Sequence, residues 1–117
     1  MTTFELNGAN LEVSSKHPHL LAALRDALGV ISPKDGCSPS GQCGSCTVLL
    51  DKKARVACQT PMERVEGAAV TTLEGLDADE RARYAAAFAA HGALQCGFCT
   101  PGIVMRTKSL LDRAVEK

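Results

Sequence analysis

A chain of 117 residues holds one ordinary domain or two very small ones, and units of that size bury too little surface to stand without some stapling element. Thirteen basic side chains cancel thirteen acidic ones and aromatics make up only 3%, so no basic stripe interleaved with stacking rings is on offer to nucleic acid. Apolar residues reach 45%, enough for an aliphatic, alanine-rich core, yet no apolar run of about 18 residues could cross a bilayer.

The first residues, MTTFELNGANLEV, carry Glu5 early and no apolar signal core, so export is not expected. Residues 3–6 and 10–14 flank Asn7-Gly8, a strong short hairpin signal. Leu20, Leu21, Leu24 and Leu28 then recur on one face of a helix, with Pro18 at its entry and Gly29 at its end. Residues 32–46 are rich in Gly, Pro and Ser and read as a loop. The apolar run 47–50 reads as a strand, 55–58 as its hairpin partner across 51–54, and 69–73 as a further strand. This order predicts an α+β unit, a small mixed sheet with one helix packed across it.

Past Glu74-Gly75 the composition shifts, which places a domain boundary near residue 75 and gives units 1–75 and 76–117. DADERARYAAAFAAHG is helical throughout, with Asp77 and Glu80 as a capping box and Gly92 after the last turn. A second helix opens with Thr100 as N-cap and Pro101 at the first helical position, running through Ile103, Val104, Thr107, Leu110, Leu111 and Ala114. Two helices of this length are marginal as a pair. Either the sheet or further helices must cover them, and uncovered they would stick through Ile103, Val104, Leu110 and Leu111.

The six cysteines fall in CSPSGQCGSC (Cys37, Cys43, Cys46), in QCGFC (Cys96, Cys99) and at Cys58. Cysteine-dense chains without an export signal bind metal more often than they form disulfides, and a reducing, cytoplasmic compartment follows. C-x5-C-x2-C with a fourth cysteine downstream is one residue longer in its first gap than the plant-type iron–sulfur pattern C-x4-C-x2-C. A cluster with four thiolates is anionic, so backbone N–H groups must turn toward the sulfurs, and Gly36, Gly41 and Gly44 allow the positive φ and close approach this needs. Zinc held by the pairs Cys43/Cys46 and Cys96/Cys99 would leave Cys37 and Cys58 without a role. A thioredoxin-like dithiol at CGFC would need a strand leading into the motif, where a helix is expected instead. Six inert buried thiols would not cluster in this way.

The remaining polar residues point to structure. His17, His19 and His91 lie at no metal-ligand spacing from the cysteines, which favours surface or capping roles. Met62, Met105 and Tyr84 suit packing, and Arg106, Lys108, Arg113 and Lys117 form a basic helix end favourable to the helix dipole. No Ser/His/Asp set or carboxylate pair is placed to catalyse a reaction by itself.

DGCSPSGQCGSCTVLL, VAC at 56–58, TTLEGL at 71–76 and above all QCGFCTPGIVM at 95–105 resemble the iron–sulfur subunit, or N-terminal domain, of the molybdenum hydroxylases, the xanthine dehydrogenase/aldehyde oxidoreductase family. The resemblance covers nearly the whole chain. It implies a β-grasp, ferredoxin-like domain followed by a helical bundle, here apparently truncated. It implies a 2Fe-2S cluster on Cys37, Cys43, Cys46 and Cys58, with Cys96 and Cys99 as half the ligands of a second cluster. Gly44 and Gly97 would lie against the clusters and Gln95 against a pterin. The family completes its second site with a Cys-x-Cys pair further on, which is not found before Lys117. Implied too are a large molybdopterin-binding partner or fused domain, a possible FAD subunit, and a role in passing electrons from molybdopterin to a flavin or other acceptor. A free ferredoxin-like carrier or docking module is the alternative, although such a carrier has no use for the QCGFC run.

Overall fold

The computed structural model describes residues 1–37, 40–92 and 96–116. Strands β1 (Thr2–Leu6) and β2 (Ala9–Val13) pair antiparallel from Thr2↔Val13 to Leu6↔Ala9. The turn between them is Asn7-Gly8, with φ of 51° and 90°, the left-handed pair that a two-residue hairpin demands. Along β1, Thr2, Phe4 and Leu6 are buried while Thr3 and Glu5 face solvent, the alternation of a half-buried strand.

Helix α1 (Leu20–Ala22) starts where His19 Nδ1 accepts the Ala22 amide at 3.1 Å, so His19 is a capping residue. The expected helix through Leu28 departs from α geometry at once. Ala23–Ala27 form a π-helical turn in which the Leu28 amide reaches back to the Ala23 carbonyl, 3.1 Å away. The widened turn still buries Leu20, Leu21, Ala23 and Leu24. Its Arg25 guanidinium donates to the carbonyls of Ile31 and Pro33, both at 2.8 Å, and so fastens the start of the cysteine loop.

β3 (Thr47–Leu50) and β4 (Lys53–Val56) form a hairpin from Thr47↔Val56 to Leu50↔Lys53. Its turn is only Asp51-Lys52, both at positive φ, so β4 begins and ends earlier than residues 55–58. Cys58 therefore lies on a 3-10 turn, Ala57–Gln59, and not on a strand. The Thr60 amide closes that turn onto the Ala57 carbonyl at 3.2 Å, and Pro61 leads into a short helix α2 (Met62–Val65) that the sequence pattern does not announce. β5 (Ala69–Thr71) stops short of residue 73 because Leu73–Gly75 coil into another 3-10 turn. Asn7 pins that junction, accepting from the Thr72 amide and donating to its hydroxyl, both at 2.9 Å.

Among the described residues the strands make one mixed sheet in the order β2-β1-β5-β3-β4, with β1 and β5 parallel and the other pairs antiparallel. One face packs Phe4, Val48 and Val70 against Leu20 and Leu24 of the first helix, with Val65 and Met62 below. The other face packs Leu49 and Ala54 against Leu76, Val104 and Met105. β3 thus sends Val48 to one core and Leu49 to the other, which is why its sequence is apolar without alternation.

Helix α3 (Ala78–Ala90) is capped by Asp77, whose carboxylate accepts the Glu80 amide at 2.8 Å. The capping box is not reciprocal, because the Glu80 carboxylate reaches Lys108 at 2.7 Å instead. Helix α4 (Thr100–Glu116) begins one residue earlier than anticipated: the Cys99 carbonyl accepts the Ile103 amide at 3.2 Å, so Cys99 holds the cap position and Thr100 the first helical one. The sheet covers α4 through Val104, Met105 and Ser109, all buried, while buried Gly102 lies against the Gly44–Ser45 turn. Val104 therefore belongs to the core and not to the exposed face, where Ile103, Leu110 and Leu111 remain 46%, 53% and 53% exposed. No helix among the described residues is long and apolar enough to cross a membrane.

Candidate metal centre

The β3–β4 ladder brings the inner two thiols together. With Thr47 opposite Val56, the residues just beyond the ladder face each other: the Ala57 amide reaches the Cys46 carbonyl at 3.4 Å, and the Cys58 amide reaches Cys46 Sγ at 3.4 Å. Both cysteines are buried. Burial, helped by the neighbouring Cys58 side chain, pushes the Cys46 thiol up to about 11, while the Cys58 and Ala57 amides pull the other way.

The outer two thiols ride the loop that precedes β3. Cys37 Sγ accepts the Ser40 amide at 3.1 Å. The Ser40 hydroxyl, followed by the amides of Cys43, Ser40 and Gln42, brings the Cys37 thiol down to about 5, well below its ordinary value of 9.0. Gly41 makes this nest possible with φ of 79°, and Gly44 turns the chain at φ of 70° toward the ladder that starts at Thr47. Cys43 Sγ lies 2.9 Å from Ser45 Oγ and accepts the Ser45 amide at 3.4 Å. Ser45 Oγ is also 3.1 Å from the Lys34 carbonyl, to which it donates. It can swing this proton toward a Cys43 thiolate. Gly36 does not need positive φ; it is bare for close approach, since a Cβ there would come within 2.9 Å of Ser45 Oγ and 3.0 Å of both Cys43 Sγ and the Phe98 ring. Upstream, the Glu74 carboxylate accepts from the Ser32 hydroxyl at 2.5 Å. Burial works against its charge, but the Ser32 hydrogen bonds prevail and the carboxyl titrates below its ordinary value.

Among the described residues no three His, Cys, Asp or Glu side chains close around a point suited to a single metal ion. A two-iron cluster makes a different demand, four thiolates shared between two irons around a wider body. Cys46 and Cys58 adjoin at the end of the ladder, and the Cys43 amide bears on the Cys37 thiol in the loop before it. Sulfur donors, amides aimed at them and bare glycines around them make a donor set that fits a 2Fe-2S group.

The second run is laid out differently. Cys96 and Cys99 are exposed, with Gly97 between them at φ of 81° and Cys99 at the mouth of α4. Gln95, expected against a pterin, lies outside the described residues, as does Lys117 of the basic end. The sequence pattern had not singled out Ser40, Ser45, Phe98 or Gly102. The only hint of Ser45 was its place between two cysteines, and Gly102 gave none, since a glycine in the first turn of a helix carries no partner's name.

Two family models of 2Fe-2S proteins match the chain, the 2Fe-2S iron-sulfur cluster binding domain over residues 4–70 and the 2Fe-2S binding domain over residues 72–117. The chain is 40% identical over 116 residues to a nicotinate dehydrogenase subunit of Pseudomonas putida, an alignment covering 97% of this chain and 73% of that one. It is 47% identical over 91 residues to the aldehyde oxidoreductase of Megalodesulfovibrio gigas, covering 76% of this chain but only 10% of that much longer protein. Its structure superposes on quinoline 2-oxidoreductase from Pseudomonas putida 86 with a TM-score of 0.83 at 36% identity, covering 96% of this chain and 70% of the other. Fold and thiol arrangement thus define a protein of the 2Fe-2S class. Within that class the chain belongs to the iron–sulfur subunits and domains of the xanthine dehydrogenase/aldehyde oxidoreductase family.

Proposed function

We propose that this chain is the electron-transfer component of a molybdenum hydroxylase and has no catalytic residue of its own. Cys37, Cys43, Cys46 and Cys58 would hold one 2Fe-2S cluster. Cys96 and Cys99 would supply half the ligands of a second, with Gly44 and Gly97 at the cluster surfaces and Gln95 toward a pterin. When bound, the clusters supply one-electron redox chemistry. The chain's own part is to hold the thiolates, aim amides at the sulfurs and keep water from Cys46 and Cys58, which together set the potential. Residues 1–75 would form the ferredoxin-like, β-grasp unit, and 76–117 a helical 2Fe-2S-binding unit. Electrons would come from a molybdopterin centre on a large partner and leave to a flavin or another acceptor. Relatives are named for an aldehyde, nicotinate and quinoline, which fits a substrate choice made on the partner and not here. Six free thiols suit a reducing, cytoplasmic setting.

The observation that carries this reading is the junction of a buried pair, Cys46 and Cys58, with an amide-lined loop presenting Cys37 and Cys43. The test is visible absorption with iron and acid-labile sulfide analysis of anaerobically purified chain. Cys43→Ser should bleach the colour, while Cys96→Ser should leave the first cluster in place. A colourless, iron-free wild type would sink the proposal, as would a Cys43→Ser variant with undiminished colour.

A further inference from the structure

The segment carrying Cys96 and Cys99 does more than present two thiols, because it touches the first cysteine loop at two points. Gly102, in the first turn of α4, lies so close that a Cβ on it would fall 3.1 Å from Ser45 Cα and closer still to the Gly44 carbonyl oxygen. Those are backbone atoms of the turn between Cys43 and Cys46, and they cannot step aside as a flexible side chain would. At the second point the Phe98 ring reaches Gly36, whose missing Cβ would meet Phe98, Cys43 Sγ and Ser45 Oγ together. α4 itself is held from behind by Val104 and Met105 in the core and by Ser109, which accepts the Ala54 amide at 3.3 Å. The helix therefore presses a bare glycine onto the cysteine turn, while the aromatic ring lies beside Gly36, next to the space that Cys43 Sγ and Ser45 Oγ also border.

We propose that Gly102 and Phe98 are positioning residues for the first cluster: they clamp the Gly44–Ser45 turn and shield the Cys43 sulfur, so that its electronic environment is set in part by the second cysteine run. The inference rests on the proposal that Cys37, Cys43, Cys46 and Cys58 hold a 2Fe-2S group. Physically, the amide directions around a cluster sulfur and its exposure to water tune the cluster, and support of this kind is felt at the metal although the residues donate nothing to it. Phe98 is 43% exposed, so its ring works as a partial screen with one side in solvent.

The experiment uses the full chain with its cluster, as wild type, Gly102→Ala, Phe98→Ala, Phe98→Leu and Ile103→Ala. Ile103 neighbours Gly102 but is itself exposed, and serves as the control. Iron and acid-labile sulfide are measured first, then the electron paramagnetic resonance spectrum of the reduced cluster, its midpoint potential, and the rate at which a chelator strips iron. Gly102→Ala and Phe98→Ala are expected to change the spectrum and potential and to speed iron loss by about tenfold, the usual scale for supporting residues around a metal. Phe98→Leu should restore most of the screening, and Ile103→Ala should match wild type. If Gly102→Ala unfolds the chain, the Phe98 pair decides the matter alone. Wild-type spectrum, potential and stripping rate in both Phe98 variants and in any folded Gly102→Ala overturn the clamp while leaving the cluster assignment intact. A wild type without iron overturns the cluster assignment, and the clamp's role with it.

Discussion

At the scale of single residues, the same functional group meets opposite environments within ten positions. Cys37 sits among a hydroxyl and several amides, and its thiol falls to about 5. Cys46 sits in an apolar core, and burial lifts it to about 11. At neutral pH the iron-free chain therefore offers a ready thiolate at Cys37 and a reluctant, enclosed thiol at Cys46. Brief iodoacetamide treatment followed by mass mapping should label Cys37 first, with a rate that climbs through about pH 5 and is flat by pH 7. Cys46 should stay unlabelled until the chain unfolds, and early labelling of Cys46 would contradict the assignment. The same shift links to stability. The folded state keeps the Cys46 proton until about pH 11, whereas the unfolded chain releases it near the ordinary 9.0. Stability contributed by that proton is complete below 9.0 and drains as pH rises toward 11, so the iron-free melting temperature should fall across this window. Cys46→Ala should flatten that part of the curve.

At the scale of elements, the decisive packing is α4 against β3 and β4. Met105 and Val104 are fully enclosed there, while Leu110 and Leu111 on the same helix face outward. Met105→Ala should cost about 2–5 kcal/mol in urea unfolding, by lost burial plus the cavity left behind. Leu111→Ala should stay within about 0.5 kcal/mol, as exposed positions do. Equal effects would mean that α4 does not dock as described. This contrast also marks the border of what the sequence discloses. Local chemistry was legible: Asn7-Gly8 announced its hairpin, Asp77 its helix, and the apolar run 47–50 a strand, although not that both its faces are buried. The proposed grouping of Cys37, Cys43, Cys46 and Cys58 is read from their spacing, which is itself a signal. Three further things were not legible. The π turn at Ala23–Ala27 keeps the same apolar face as an α-helix, so the Leu spacing cannot distinguish them. The end of β4 depended on a turn of two residues where four had been allowed, which moved Cys58 off the strand. Which face of α4 meets the sheet depends on contacts some fifty residues apart in the chain, such as Ser109 with Ala54, and no local pattern encodes them.

At the scale of the whole molecule, the parts differ in what holds them. The sheet with α1 and α2 has a continuous apolar core, and α4 shares a smaller one. α3 buries no residue fully and leans on the Glu80–Lys108 ion pair and on half-buried Tyr84 and Phe88. Burial opposes the Lys108 charge, but hydrogen bonds to Glu80 and Asp112 outweigh it and hold the ammonium above its ordinary value. Among the described residues between the π turn and β3 there is no helix or strand; contacts from Arg25, Lys34 and Glu74 anchor the first part, and Ser45 is tied back to Lys34. A cluster bound through Cys37, Cys43, Cys46 and Cys58 would tie this loop to the end of the β hairpin and stabilise only the folded chain, since the unfolded one cannot gather the four thiolates. Removing iron should therefore lower the melting temperature, by roughly 4–8 °C for each kcal/mol lost in a chain of this size. It should open protease cleavage first within residues 32–46, while strands β1, β3 and β5 keep their slow amide exchange. Cleavage that begins instead in α3, at a rate indifferent to iron, would show that the cluster does not staple this loop.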